Sequence, residues 1–410
     1  MTTLVLRGGR IIDPVQGLDA QRDVLIRNGR VEALEPPGVL ARMAPGSSTG
    51  DDVSVRDVSG AIVTPGLIDL HGHWYLGSAY GVEAAVSLRG GVTTAVDAGT
   101  AGFVNFASFR RQSIDGAQLA VRAFVNVAAL GIPYPITGEL EDLRYARPKE
   151  TAAVIREHRD VAVGVKVRLS GAGPNAGPAF EAAREAAELA SVPIMVDIGD
   201  ERDLMPGLLD RMRPGDILTH CFTGLARGIR GPDGRLAPEA RGARRRGVRF
   251  DIGHGGGSFS FATARMALAE GFPPDSISTD IHRYSIEGPV YDLLTTMAKF
   301  LHLGLELPDV VARVTTGPAE SIGLPAPSLR PGSPADVAVF RVVESPTQLV
   351  DAARVPETAA VRLAAVLTVV AGRVVEPGDV PLSIRPLTPL DRVLLGNGNG
   401  PLQDGASAPG

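Results

Sequence analysis

The sequence predicts an α/β protein: a (β/α)8 barrel carrying a small composite β-sandwich built from both termini. Three observations carry this reading. Eight short apolar runs recur through the middle of the chain with helix-like segments between them. β-branched, turn-bounded runs cluster at both ends. Residues of metal-ligating type stand at the ends of successive apolar runs, where such barrels keep their chemistry.

The elements follow in order. Residues 1–60 read as short strands, TLVLRGGRII and RDVLIRNGRVEAL, and the stretch from Pro36 to Asp52 reads as a loop by composition. The apolar runs begin with AIVTPGLIDL (61–70), GVTTAVDAG (91–99), AVRAFVNVA (120–128) and VAVGVKVRL (161–169). They continue with VPIMVDIG (192–199), DILTHCF (216–222), VRFDIGHG (248–255) and SISTDIH (276–282). FEAAREAAELA (180–190) and ATARMALAEG (262–271) supply helices between them. Strands alternating with helices give parallel βα units, and eight units close a barrel. Strand character returns at ADVAVFRV and LTVVAGRVV. The predicted units are therefore 1–60 with 326–385 as the sandwich, 61–325 as the barrel, and 386–410 as a mobile tail with few apolar residues to bury.

Composition narrows the function. The formal charge of −5 over 410 residues argues against non-specific nucleic-acid binding. No apolar run reaches the roughly 18 residues of a membrane span. The segment MTTLVLRGGRIIDP shows neither a basic leader nor an apolar core, so a cytoplasmic protein acting on a small molecule is expected. One cysteine, Cys221, excludes an internal disulfide and any cysteine-based zinc knuckle. Of the 41 basic residues only three are lysines, Lys149, Lys166 and Lys299. A lysine kept against that arginine bias points to chemistry that arginine cannot perform.

Five of the seven histidines, His71, His73, His220, His254 and His282, fall at predicted strand ends. His158 and His302 fall in or beside helices and read as structural or exposed. Residues i and i+2 of a strand share a face, so His71 and His73 can grip one metal ion. Lys166 lies inside an apolar run, where an ammonium costs several kcal/mol unless it is paired or neutral. One reading is a structural ion pair. The favoured reading is a neutral amine that takes up carbon dioxide, giving a carbamate able to bridge two metals.

The segments GLIDLHGH, DAGTAGFVNF, GVKVRLS, THCFTG, DIGHGGGSFSF and STDIH resemble the amidohydrolase superfamily, in its deacetylase-like, dihydroorotase-related branch. The resemblance runs from the N-terminal strands through GSPADVAVF. It implies a (β/α)8 barrel with a composite β-sandwich, and one or two divalent metal ions. His71, His73 and Asp280 would bind the first metal, and carboxylated Lys166 would bridge to a second held by His220 and a fifth-strand histidine. Here the usual MVHIG reads MVDIG, so Asp197 takes that ligand position. Zinc is expected, with manganese an option at the second site because a carboxylate suits harder ions. The resemblance also implies a homo-oligomer, which nothing in the chain itself specifies.

The implied reaction is metal-assisted hydrolysis, in which a divalent ion lowers the pKa of water from about 15.7 towards 7. Asp280 would act as general base and pass the proton to the leaving group. His254, Tyr75 and Arg168 are read as substrate contacts, against packing for the first and a solvated rim for the others. The leading substrate class is a small N-acyl amino acid or O-acyl hydroxy acid. A cyclic amide hydrolase of dihydroorotase type and a non-catalytic barrel subunit are the competing readings.

Overall fold

The computed structural model describes residues 2–42, 52–134, 138–198, 207–225 and 228–382, with 388 and 391. The terminal strands form one hydrogen-bonded sheet of eight. Five come from the start of the chain: β1 (Thr2–Asp13), β2 (Leu18–Arg27), β3 (Arg30–Glu35), β4 (Asp52–Asp57) and β5 (Ile62–Pro65). Three come from far downstream, β13 (Val337–Val350), β14 (Pro356–Val370) and β15 (Arg373–Val375). The strand order is β15-β14-β13-β5-β1-β2-β3, with β4 branching off β1.

The sequence predicted a sandwich, whereas these strands share a single network. The cause is the length of β1: its first half pairs with β4 and its second half with β5. At the junction β5 pairs in parallel with β1 and antiparallel with β13. Alternating side chains from both groups, including Leu6, Ile11, Val63, Val337 and Val369, are buried together. The Asp13 carboxylate reinforces the join by accepting from Ser328 Oγ (2.9 Å) and the Leu329 N–H (2.7 Å).

The middle of the chain forms a curled parallel sheet of seven strands in sequential order. They are β6 (Leu67–Gly72), β7 (Val92–Gly102), β8 (Ala120–Asn126), β9 (Ala162–Arg168), β10 (Ile194–Asp197), β11 (Ile217–Thr219) and β12 (Arg249–Phe250). Helices Pro148–Glu157, Ala176–Ala190 and Pro238–Arg246 lie between the later ones, and Phe261–Ala269 follows β12. The alanine-rich helix Ala176–Ala190 packs Ala179, Phe180, Ala183 and Ala187 inward, positions on one helical face.

The predicted eighth strand, 276–282, is not one, and the sheet does not close through continuous ladders. This segment makes single parallel bridges, Asp251↔Ser276 and Gly72↔Ile281. Its hydroxyls explain why. Ser276 and Ser278 donate to Asp251 (2.6 and 2.8 Å), and Thr279 donates through both N–H and Oγ1 to Asp69 (2.9 and 2.6 Å). These bonds tie the segment to its neighbours on both sides through side chains rather than through a continuous ladder.

The sheet interior is layered. Phe124, Met195 and Ile217 lie in an apolar floor with Ile68, Leu70 and Val96. Two residues further along their strands, on the same face, stand Asn126, Asp197 and Thr219. Polar chemistry therefore begins one layer above a dry base.

Val39–Arg42 form a 3-10 turn within the expected loop, and 43–51 lie outside the described residues. So does the expected tail, apart from Thr388 and Asp391, whose carboxylate pairs with buried Arg283 at 2.7 Å. Among the described residues no helix is long and apolar enough to cross a membrane.

Candidate metal centre

Three buried donors meet above the floor. His71 is the penultimate residue of β6, His73 follows the strand, and Asp280 comes from the eighth segment. Asp280 Oδ1 lies 3.0 Å from His73 Nε2 and 3.3 Å from His71 Nε2. The backbone knits the same residues: the Asp280 N–H donates to the His71 carbonyl (2.6 Å) and the His73 N–H to that of Ile281 (2.9 Å). Asp280 (φ 47°) and His220 (φ 62°) adopt left-handed backbone conformations that non-glycine residues seldom hold. Such strain persists only where the surroundings enforce it, and it gathers at functional sites.

The outer nitrogens of these rings are committed. The Thr219 hydroxyl donates to Asp251 (2.7 Å), so it accepts from the His71 Nδ1–H at 2.8 Å. The Thr100 hydroxyl donates to Asp97 (2.8 Å), so it accepts from the His73 Nδ1–H at 2.7 Å. His220 Nδ1–H donates to the Gly253 carbonyl at 2.6 Å. A neutral ring with its proton on Nδ1 presents a bare Nε2; the Nε2 atoms of His71 and His73 face Asp280 Oδ1, and that of His220 faces Asp197. Burial lowers the His71 pKa to about 4, with Lys166 adding to the effect, so this ring is neutral. Burial opposes charge on Asp280, yet His71 and His73 beside it hold its pKa below the usual carboxylate range.

A second group shares His71. Asp197, at the end of β10, lies 3.0 Å from Lys166 Nζ and 3.2 Å from His220 Nε2. Lys166 Nζ also stands 3.4 Å from His71 Nε2. All four side chains are buried. Burial opposes the Asp197 charge, but His220 and Lys166 hold its pKa well below the ordinary value. Burial also opposes protonation of His220, yet Asp197 outweighs it and raises that ring to about 9. Neighbouring Cys221 is buried and its thiol is pushed up by burial, which makes it inert.

The three expected substrate contacts are held by protein partners. Arg168 forms a two-pronged pair with Glu139 (2.8 and 2.7 Å), both largely buried. The Tyr75 ring packs on Phe109, 5.2 Å between centroids, within the apolar core. His254 stacks on Phe259 (4.7 Å, 24°) and accepts at Nε2 from Lys299 Nζ, 2.7 Å away. Burial lowers Lys299 to about 7, and burial with Lys299 takes His254 well below its ordinary pKa.

Sequence reasoning gave no role to His282. It accepts the Tyr284 N–H at Nδ1 (3.1 Å), which puts its proton on Nε2. Its ring lies 6.1 Å from His73 and 5.1 Å from Tyr80. Its position two residues past Asp280 was the available signal. Thr100, Asp97, Thr219 and Asp251 were also missed, since Thr and Asp at strand ends carry no distinctive pattern.

The donors fit a divalent metal. His71, His73 and Asp280 form one set, and His71, Asp197 and His220 a second; within each set the ligand atoms lie within 4.8 Å of one another. Orientation of each imidazole by its other nitrogen is what metal-binding histidines require. Fold and site together define an α/β enzyme of the kind that builds histidine–carboxylate metal centres at strand ends.

The comparisons narrow this class. No family model matches the chain. A deacetylase of Agrobacterium fabrum is 36% identical over 323 residues, 77% of this chain and 79% of the relative. A deacetylase of Brucella anthropi is 35% identical over 82% of this chain and 83% of its own. Among solved structures, one described as an adenine deaminase superposes with a TM-score of 0.79 at 31% identity, over 91% of this chain and 99% of that one. Another, described as a dihydroorotase, gives 0.80 at 29% identity, over 92% and 98%. The chain belongs to the amidohydrolase superfamily, among its deacetylase-like members, and is an enzyme.

Proposed function

We propose that this protein is a metal-dependent hydrolase that cleaves the amide or ester bond of a small acylated amino or hydroxy acid. The convergence of His71, His73 and Asp280, with each ring locked from behind, is the observation that carries the reading. A divalent ion held there would supply Lewis acidity, bringing the pKa of water into the neutral range. His71 and His73 would hold it through Nε2, and Asp280 through Oδ1.

Asp280 Oδ2 lies over Gly255, where a Cβ would come within 2.3 Å of it. That oxygen, the one outside the His71 and His73 pairs, would take a proton from water and hand it to the leaving group. The Nε2–H of His282 would donate to the substrate carbonyl or carboxylate, with Tyr80 bounding the same space. Lys166 would act as the carbamate and, with Asp197 and His220, hold a second metal. In the same reading, segment 276–282 completes a (β/α)8 ring, supported by its bridges on both sides. Residues 61–325 then form the catalytic unit and 1–60 with 326–385 the accessory one.

Asp197 weakens the second site relative to a histidine. It adds a negative charge, which lowers residual Lewis acidity, and a hard oxygen favours manganese over zinc. Metal titration of the metal-free protein should show one tight equivalent and a looser, manganese-preferring second. Two zinc ions held equally tightly would refute this account of Asp197. Turnover of acetylated α-amino and α-hydroxy acids against dihydroorotate-type cyclic amides tests the substrate class. A preference for the ring substrates would replace the deacylase reading.

A further inference from the structure

Lys299 is one of the three lysines, and it sits fully buried on the helix Leu293–His302. Among the described residues it makes no ion pair. Its Nζ donates instead to the Pro289 carbonyl (2.9 Å) and to His254 Nε2 (2.7 Å). His254 in turn donates from Nδ1 to the carbonyl of Gly255 (2.9 Å), which fixes its tautomer. Burial pushes this amine towards neutrality, and the carboxylates that pull it back, Asp351 and Asp292, act only through space, so an amine at this buried place calls for a reason beyond packing.

What the pair holds is the backbone at 253–255, and that backbone touches the donors directly. The Gly253 carbonyl is the acceptor that aims His220. At Gly253 (φ 46°) a Cβ would come within 2.9 Å of both His220 Nδ1 and His71 Nδ1. At Gly255 (φ 58°) it would strike Asp280 Oδ2 at 2.3 Å. The side chain between these glycines, His254, is the anchor of the turn, and Lys299 holds it from behind.

We propose that Lys299 is a positioning residue of the metal centre, acting through His254 to fix the Gly253–Gly255 backbone that aims His220 and bounds Asp280. The inference rests on the metal-dependent reading above. A ligand's supporting partners are typically worth about 10–100-fold in metal affinity or activity, and the Lys299–His254 pair supports two candidate ligands through one turn.

The test uses the full-length protein, stripped of metal and titrated with zinc and then with cobalt, whose visible absorption reports ligand geometry. Lys299→Met should bind metal about 10–100-fold more weakly, with an altered cobalt spectrum and kcat reduced at near-constant KM. His254→Gln should show the same changes, and the double variant should be no worse than the poorer single one. Additive losses would assign the two residues independent roles and overturn the proposal. Wild-type affinity and an unchanged spectrum in folded Lys299→Met would also overturn it. Should that variant fail to fold, His254→Gln decides by the same readouts. If the wild-type protein takes up no metal, the metal-dependent reading falls, and this inference with it. Uptake by the wild type with unaltered variants sinks this inference alone.

Discussion

The two donor clusters share His71 and stand on the same apolar floor, but their charges are settled differently. In the cluster of His71, His73 and Asp280 the low-pKa carboxylate has no lysine beside it, and His71, held neutral, lies 3.3 Å away. In the cluster of Lys166, Asp197 and His220 the carboxylate already has two cationic neighbours, one of them a histidine raised to about 9. The first is therefore arranged for a cation, whereas the second must first lose one. Loss of the lysine charge as a carbamate, or of the His220 proton, would each open it. Identical residue types can thus be prepared for metal or closed against it by a single neighbouring amine.

The largest expected effect breaks the second cluster. Lys166→Ala should abolish hydrolysis, with partial recovery on adding short carboxylic acids and bicarbonate. Labelling the metal-loaded protein with 13C-bicarbonate should reveal a carbamate carbon; a bare amine in a metallated, active enzyme would remove that role. Next comes the first cluster. Asp280→Asn should keep much of its metal yet lose about 10²–10⁴-fold in kcat. Near-normal turnover would end the general-base assignment.

A smaller effect sharpens the contrast. Thr219→Val and Thr100→Val each cut one relay between a carboxylate and a ligand histidine, and should weaken metal binding by about 10–100-fold. Thr219→Val is expected to affect both equivalents, since His71 belongs to both sets, and Thr100→Val the first alone. Equal effects on both equivalents from Thr100→Val would show that the clusters are not separable as described.

The mildest effect is the pH dependence. His220 is raised from 6.5 to about 9 by Asp197. That pairing stabilises the metal-free fold in full below pH 6.5 and is lost as pH rises through 9. The stability difference between wild type and His220→Gln, measured without metal, should shrink over that window. Affinity for the second equivalent should run the other way, rising about tenfold per pH unit below 9 as one proton is released per ion bound. A flat profile would mean that His220 enters the cluster already neutral.

Much of this was legible in the sequence. The HxH spacing placed His71 and His73 together because strand parity is local, and the apolar runs located seven parallel strands. The eighth run failed as a strand because its Ser and Thr hydroxyls found carboxylates on β6 and beside β12, partners more than 20 positions distant or more than 200. The partner of Arg168, Glu139, sits 29 residues earlier in a stretch without periodicity, so nothing in the sequence signalled their pairing. Lys299 could have been found. The scarcity of lysine marked it as plainly as Lys166, but it lies on a helix rather than at a strand end, and so it fell outside the pattern being followed.

The sheet built from both ends of the chain sets a timetable for biosynthesis. Its junction strand, Ile62–Pro65, gains its antiparallel neighbour only when Val337–Phe340 is made. At about 5–20 residues per second, the ribosome needs roughly 14–54 s to cover the intervening stretch. For that interval one edge of Ile62–Pro65 has unpaired N–H and C=O groups, the kind of surface to which other strands add. Every residue of the two donor clusters, from His71 to Asp280, emerges inside this window, so all of them are made before the sheet beside them can be finished.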